Sequence, residues 1–260
     1  MKEVLHINKK IENEKLEKLT ELLRRLNTEE LTKKLRKEAI ELVKNIDPLE
    51  ISLAEQKLID DGMNPNELRH LCDIHMEILK DELERLEKSV EKGHVLYTFI
   101  KEHEEILKFL DGLESLNKEI QKMKSFDEEK IKKGRALGVS LLNAEPHHKR
   151  EEEVLFKKLE SLEITGPTRV MRLEHEELRM KKRELKELCS VWKYLSLEDF
   201  KERFDKISKD IVFELRDHIF KENYILYPTA MDSIKEDEFK KLKEECDMLG
   251  YCVFTPKDSI

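Results

Sequence analysis

Residues that interrupt helices are scarce. The 260-residue chain holds 7 glycines and 6 prolines, roughly half of what average usage supplies. Together with 42% charged residues, this argues against short turn-linked elements and for long helices with solvated outer faces. The apolar share, 38%, is low but sufficient, because a core-facing helix needs only about three apolar positions in seven. Leu, Ile and Phe recur at helical spacing almost throughout, so the charge does not signal disorder. No strand-like alternation and no glycine loop of dinucleotide or phosphate type is present. No basic stripe occurs in a chain of net charge −8, and a nucleic-acid partner is not expected. No run of about 18 apolar residues exists, and a membrane span is not expected. The N-terminus, MKEVLHINKKIENEK, lacks an apolar stretch of secretory type. Cys72, Cys189, Cys246 and Cys252 are scattered. A cytoplasmic location is expected, where a reducing environment disfavours disulfides.

Apolar spacing of i, i+3, i+4, i+7 predicts a helix over about 12–26 and a second, starting after Asn27 or Thr28, to about Ile46. Asp47-Pro48-Leu49-Glu50 then supplies a cap, a first-turn proline and a glutamate at the third helical position, which together start a helix. Gly62 ends it, and Asn64-Pro65-Asn66-Glu67 repeats the start signal for a helix to about Ser89. Lys92-Gly93 breaks the pattern. We place a domain boundary there, giving an N-terminal helical domain over 1–92, a helical bundle over 93–232 and a C-terminal helix and tail, 233–260, packing on the bundle. The bundle is expected to comprise a helix over about 95–122 and a second, capped by Ser125, to about Leu162. A third runs from Thr165-Gly166-Pro167 to about Cys189. A fourth, capped by Ser196, reaches about Pro228. Four long helices with short connections make an antiparallel, all-α bundle. A last helix covers about 235–249, stopped by Gly250.

A repeated phrase carries the chemistry. His218 is followed four residues later by Glu222 and then by Leu226-Tyr227; His147 is followed four residues later by Glu151 and then by Leu155-Phe156. A spacing of four places histidine and glutamate one turn apart on one helix face. Two such helices facing each other present two imidazoles and two carboxylates. His103, on the stripe Phe99, His103, Ile106, Leu110, and His175, between Leu173 and Leu178, add one inward histidine from each of the other two helices. Any one of these features alone is ordinary: an i, i+4 pair is usually a surface pair. Burying all four histidines and both carboxylates in one bundle costs several kcal/mol unless something pairs them, and a metal cluster does so. His148 and Glu152 also stand four apart, and His94 is an alternative to His103 at the start of the first helix; these three are extra candidates. A ferritin-type site would want Glu-x-x-His on two helices, whereas within the four bundle helices only Glu145 to His148 fits.

The order His103; His147 and Glu151; His175; His218 and Glu222, with the phrases HHKREEEVLF and HIFKENYILYP, resembles the hemerythrin-like HHE cation-binding family over about residues 94–232. The stretch DPLEISLAEQKLIDDGMNPNELRHLCDIH resembles a helical family of unknown function, number 438, which commonly precedes an HHE domain. The closing EECDMLGYC is similar to the end of such proteins. The resemblance implies a hemerythrin-like up-down four-helix bundle and a non-haem di-iron site whose two glutamates bridge the metals, with an oxo or hydroxo bridge between them. Manganese or zinc would also suit imidazole and carboxylate ligands.

Oxygen-carrying hemerythrins have a second histidine one turn along the third helix, where this chain has Arg179; that departure argues against reversible oxygen carriage. The expected function is binding of a small diatomic ligand, oxygen or nitric oxide, for sensing or detoxification, with the N-terminal domain relaying the bound state or docking a protein partner. The alternatives are an iron-dependent peroxidase, a nitric oxide reductase or an iron donor for damaged metal centres, and a helical interaction module with a structural metal. Tyr224 and Tyr227 follow the last ligands closely enough to donate a hydrogen bond to a bound ligand or to pack the bundle end. In the N-terminal domain Leu68, Cys72, His75 and Leu79 share one stripe, with Cys72 and His75 either core residues or a second metal, haem or redox site.

Overall fold

A computed structural model describes residues 17–22, 24–25, 32–35, 37–38, 62 and 90–260. The chain is all-α, and no strand occurs among the described residues. The elements beyond residue 90 are α1 (Val95–Gln121), α2 (Glu128–Leu142), α3 (Glu145–Arg150), α4 (Phe156–Ser161), α5 (Gly166–Leu188), α6 (Leu197–Lys221), α7 (Tyr227–Ser233) and α8 (Glu236–Leu249). A π-turn over Glu151–Leu155 joins α3 to α4, and a second over Glu222–Leu226 joins α6 to α7. The helical arms α1, α2–α4, α5 and α6–α7 form an up-down four-helix bundle.

By contact density the chain divides into two compact units, Leu86–Ile219 with Thr229–Ile260, and Met1–Arg85 with Phe220–Pro228. In the latter, the described residues 17–22, 24–25, 33–35 and 37–38 are helical and bury Leu19, Leu22 and Leu35. The Arg25 guanidinium meets the Glu38 carboxylate at 3.0 Å. Gly62 has φ +98°, a left-handed conformation that favours glycine. The helices expected over 48–61 and 66–89, and the stripe Leu68, Cys72, His75, Leu79, lie outside the described residues.

The larger unit has a continuous apolar core. Ile106, Leu110, Leu113, Leu116 and Ile120 of α1 meet Phe200, Phe204, Ile207, Ile211 and Leu215 of α6, with Leu178, Leu185 and Leu188 of α5. Spacings of three and four put each set on one stripe. Two glycines let α2 approach closely. A Cβ on Gly138 would stand 3.2 Å from the Lys186 backbone nitrogen of α5, and one on Gly134 would stand 3.0 Å from the Phe204 ring and 3.1 Å from Cys189 Sγ.

Three helix boundaries differ from expectation. The fourth arm does not stop at Pro228 but runs through the second π-turn to Ser233. Asp127, not Ser125, caps α2, its Oδ1 accepting from the Glu129 and Lys130 amides; a carboxylate next to two free amides is the stronger partner. The single helix expected to Leu162 breaks at Asn143-Ala144. Pro146 enters at the first turn of α3 and has no N–H to continue the α2 ladder. Elsewhere the starts agree. Ser196 Oγ accepts from the Asp199 amide at 3.1 Å, and Gly250, φ +85°, ends α8. Beyond Gly250 the tail folds back, with Phe254 edge-on to Phe109 of α1 at 5.2 Å. Among the described residues no helix is long and apolar enough to cross a membrane.

Candidate metal centre

Both His-x-x-x-Glu phrases sit at the same kind of irregularity. His147 lies in α3, which ends at Arg150, and Glu151 opens a π-turn closed by the Phe156 amide donating to the Glu151 carbonyl. His218 and Glu222 stand in the same relation, with the Tyr227 amide donating to the Glu222 carbonyl. The glutamate-to-aromatic offset of five seen in the sequence is therefore the i, i+5 hydrogen bond of a π-turn, an element frequent at functional sites.

Six buried side chains converge. His103, His147, Glu151 and Glu222 each offer a ligand atom within 4.8 Å of the others, and so do His175, His218 and Glu222; Glu222 belongs to both groups. His103 Nε2 stands 3.0 Å from His147 Nε2. Glu151 Oε2 lies 3.3 Å from His147 Nε2 and 3.5 Å from His175 Nε2, so Glu151 also faces histidines of both groups. The His175 and His218 rings are 4.6 Å apart. All six residues are at most 1% exposed.

Three further carboxylates fix the histidine tautomers. His147 Nδ1 donates to Glu102 at 2.7 Å, His175 Nδ1 to Glu152 at 2.7 Å and His218 Nδ1 to Glu174 at 2.8 Å. With the proton held on Nδ1, the neutral ring turns an Nε2 lone pair inward. In the first group that lone pair faces a second imidazole and a carboxylate oxygen at 3.0–3.3 Å. Acceptors this close in a dry interior need a cation or a shared proton between them, and the donor set fits a divalent metal. The electrostatics show the same need for positive charge. Burial alone would lower the His147 pKa, yet Glu151 and Glu102 raise it to about 9: without a metal cation the ring would carry a second proton, and a bound divalent metal would take that proton's place. For Glu102, burial would raise the pKa, but the His147 hydrogen bond and the Arg150 charge pull it down to about 2.

The surroundings exclude other ligand types among the described residues. Burial pushes the thiols of Cys189, Cys246 and Cys252 up to about 12, so they stay neutral, and none joins either group. Of the extra candidates, His94 caps α1, its Nδ1 accepting from the Leu96 amide at 3.2 Å, and His103 takes the inward place. Glu152 is turned to His175 Nδ1 and to Arg179 at 2.8 Å; neither His94 nor Glu152 enters a group. His148 lies outside both groups, stacked on His175 at 4.1 Å. Burial and the neighbouring Lys182 ammonium hold its pKa well below the ordinary value, so its ring is neutral. Arg179 is held by Glu145 at 2.9 Å as well as by Glu152. Tyr224 is buried against Phe220 at 5.0 Å, and burial raises the pKa of its hydroxyl.

Glu102 and Glu174 were not singled out in the sequence. The available signal was adjacency: Glu102 precedes His103, Glu174 precedes His175, and Glu152 follows Glu151.

Two family models match the chain. The Hemerythrin HHE cation binding domain matches residues 94–230, just over half of the chain. A family of unknown function, DUF438, matches residues 19–85. Comparison with curated proteins finds no match.

Proposed function

This chain belongs to the hemerythrin HHE cation-binding family, and on that premise we propose that it holds two iron ions and uses them to bind a diatomic ligand, oxygen or nitric oxide, for sensing or detoxification. His103 and His147 would hold one ion and His175 and His218 the other, with Glu151 and Glu222 shared. The observation that carries this reading is the membership of Glu222 in both groups, together with Glu151 facing His147 and His175. One carboxylate common to two histidine pairs is what a two-metal site needs. When bound, the irons would supply open coordination positions and electrons for the ligand.

The chain's own residues supply the rest. Glu102, Glu152 and Glu174 keep the Nδ1 protons of three histidines and so keep their Nε2 atoms available. Carboxylate partners of this kind raise ligand basicity and hold ring orientation. Arg179 stands where an oxygen carrier has a further histidine, and its bonds to Glu145 and Glu152 turn it to positioning Glu152. Four histidines leave more of the metal coordination to exogenous ligands than five would, which favours sensing or detoxification over oxygen carriage.

The test is anaerobic purification followed by optical spectra before and after oxygen or nitric oxide. Stoichiometric binding with new charge-transfer absorption is expected. Steady turnover of nitric oxide or peroxide would make the protein an enzyme instead, and unchanged spectra of an iron-loaded sample would leave the metal a structural role.

A further inference from the structure

We propose that the C-terminal tail beyond Gly250 is a strap coupled to the metal site, and that Thr255 is a positioning residue acting on His147 through Glu102. The inference rests on the reading of the cluster as a metal site.

Glu102 is the meeting point. Its carboxylate accepts from His147 Nδ1 at 2.7 Å, from Arg150 Nη2 at 2.6 Å on both oxygens, and from Thr255 Oγ1. An ionised carboxylate has about four acceptor sites, and these contacts fill them. Two donors come from α3 and one from the tail. One turn earlier on the same face of α1, Thr98 Oγ1 donates to the Ser259 carbonyl. The Arg150 guanidinium lies 5.2 Å from the Phe99 ring and 4.5 Å from the Tyr251 ring, so the tail also closes over the ion pair. Thr255, Ser259 and Cys252 are buried. The outlying Lys92–Asp258 pair at 3.3 Å is exposed and adds little. The tail is thus held at the carboxylate that orients a metal-facing imidazole, rather than at a remote surface.

Loss of the Thr255 hydroxyl frees Glu102 to turn toward Arg150 and loosens the Nδ1 bond that fixes His147. Partners at this remove from a metal typically change affinity 10–100-fold. Coupling between two binding events is reciprocal, so metal loading must in turn hold the tail.

The experiment uses the full chain with Zn(II) as probe, titrated in competition with a chromophoric chelator. Thr255→Val is expected to weaken Zn(II) binding roughly 10-fold, and Thr255→Ser to stay within about twofold of wild type, because it keeps the hydroxyl that bonds Glu102. In the wild type, Zn(II) is expected to slow amide exchange across residues 252–260 by about 10-fold, as reciprocity requires, and that slowing is expected to vanish in Thr255→Val. Wild-type binding with equal affinity in Thr255→Val and no change in tail exchange overturns the strap. So does a Ser variant weakened as much as the Val variant. A wild-type chain that takes up no Zn(II) or Fe(II) at all overturns the metal reading itself, and the strap with it.

Discussion

Three histidines in the cluster owe their orientation to a glutamate on a different helical arm. Glu102 of α1 serves His147 of α3, Glu152 of the first π-turn serves His175 of α5, and Glu174 of α5 serves His218 of α6. The relay passes from arm to arm, so spacing along one helix does not reveal it. The His and Glu residues of the two repeated phrases were legible because i, i+4 geometry is local. Their partners were not, because each depends on which arm packs alongside. Glu102 gives this scale its test. Its pKa stands at about 2 against an ordinary 4.5, a depressed carboxyl. Its stabilisation is therefore present in full above about pH 4.5 and lost as pH falls through about 2. Glu102→Gln is expected to cost about 3 kcal/mol near neutral pH, because Arg150 is left buried without its charge partner. Urea unfolding checks this, and the gap to wild type should close as the acid window is crossed. A gap independent of pH would contradict the assignment.

At the scale of elements, helix existence was readable and helix continuity was not. Periodicity marks α1, α5 and α6 plainly. The break before α3 follows from Pro146, whose presence in EPHHKR was visible but was absorbed into one long predicted helix. The π-turns had a sequence trace, the offset of five from Glu151 to Phe156 and from Glu222 to Tyr227, whose backbone meaning only the hydrogen bonds supply. The close approach of α2 to α5 had none. Gly138 looks like a weak point in a helix, yet a Cβ there would stand 3.2–3.3 Å from the Lys186 backbone. Alanine gains up to about 1 kcal/mol in helix propensity, but crowding of a packed interface costs about 1–3 kcal/mol, and the Lys186 neighbour is backbone that does not rotate away. Gly138→Ala is expected to lower the thermal midpoint by a few degrees. A raised midpoint would show that the two helices separate at little cost.

For the whole molecule, an all-α chain with a hemerythrin HHE domain over 94–230 and a DUF438 segment over 19–85 places a buried donor cluster beside a tail that reaches one of its anchoring carboxylates. The proposed role follows from the donor set: four imidazoles, three of them with fixed tautomers, and shared glutamates, no thiolate among the described residues, and an arginine in place of a fifth histidine. Composition foretold the helices, because seven glycines and six prolines leave little room for anything else. It could not foretell the anchoring glutamates, since any of 58 acidic residues would serve composition equally well. The most direct test is the metal content of anaerobically purified protein, wild type beside His147→Ala/Glu222→Ala, with circular dichroism confirming that the helices remain. Two irons per chain in the wild type and close to none in the double variant are predicted; two irons retained by the double variant would contradict the account.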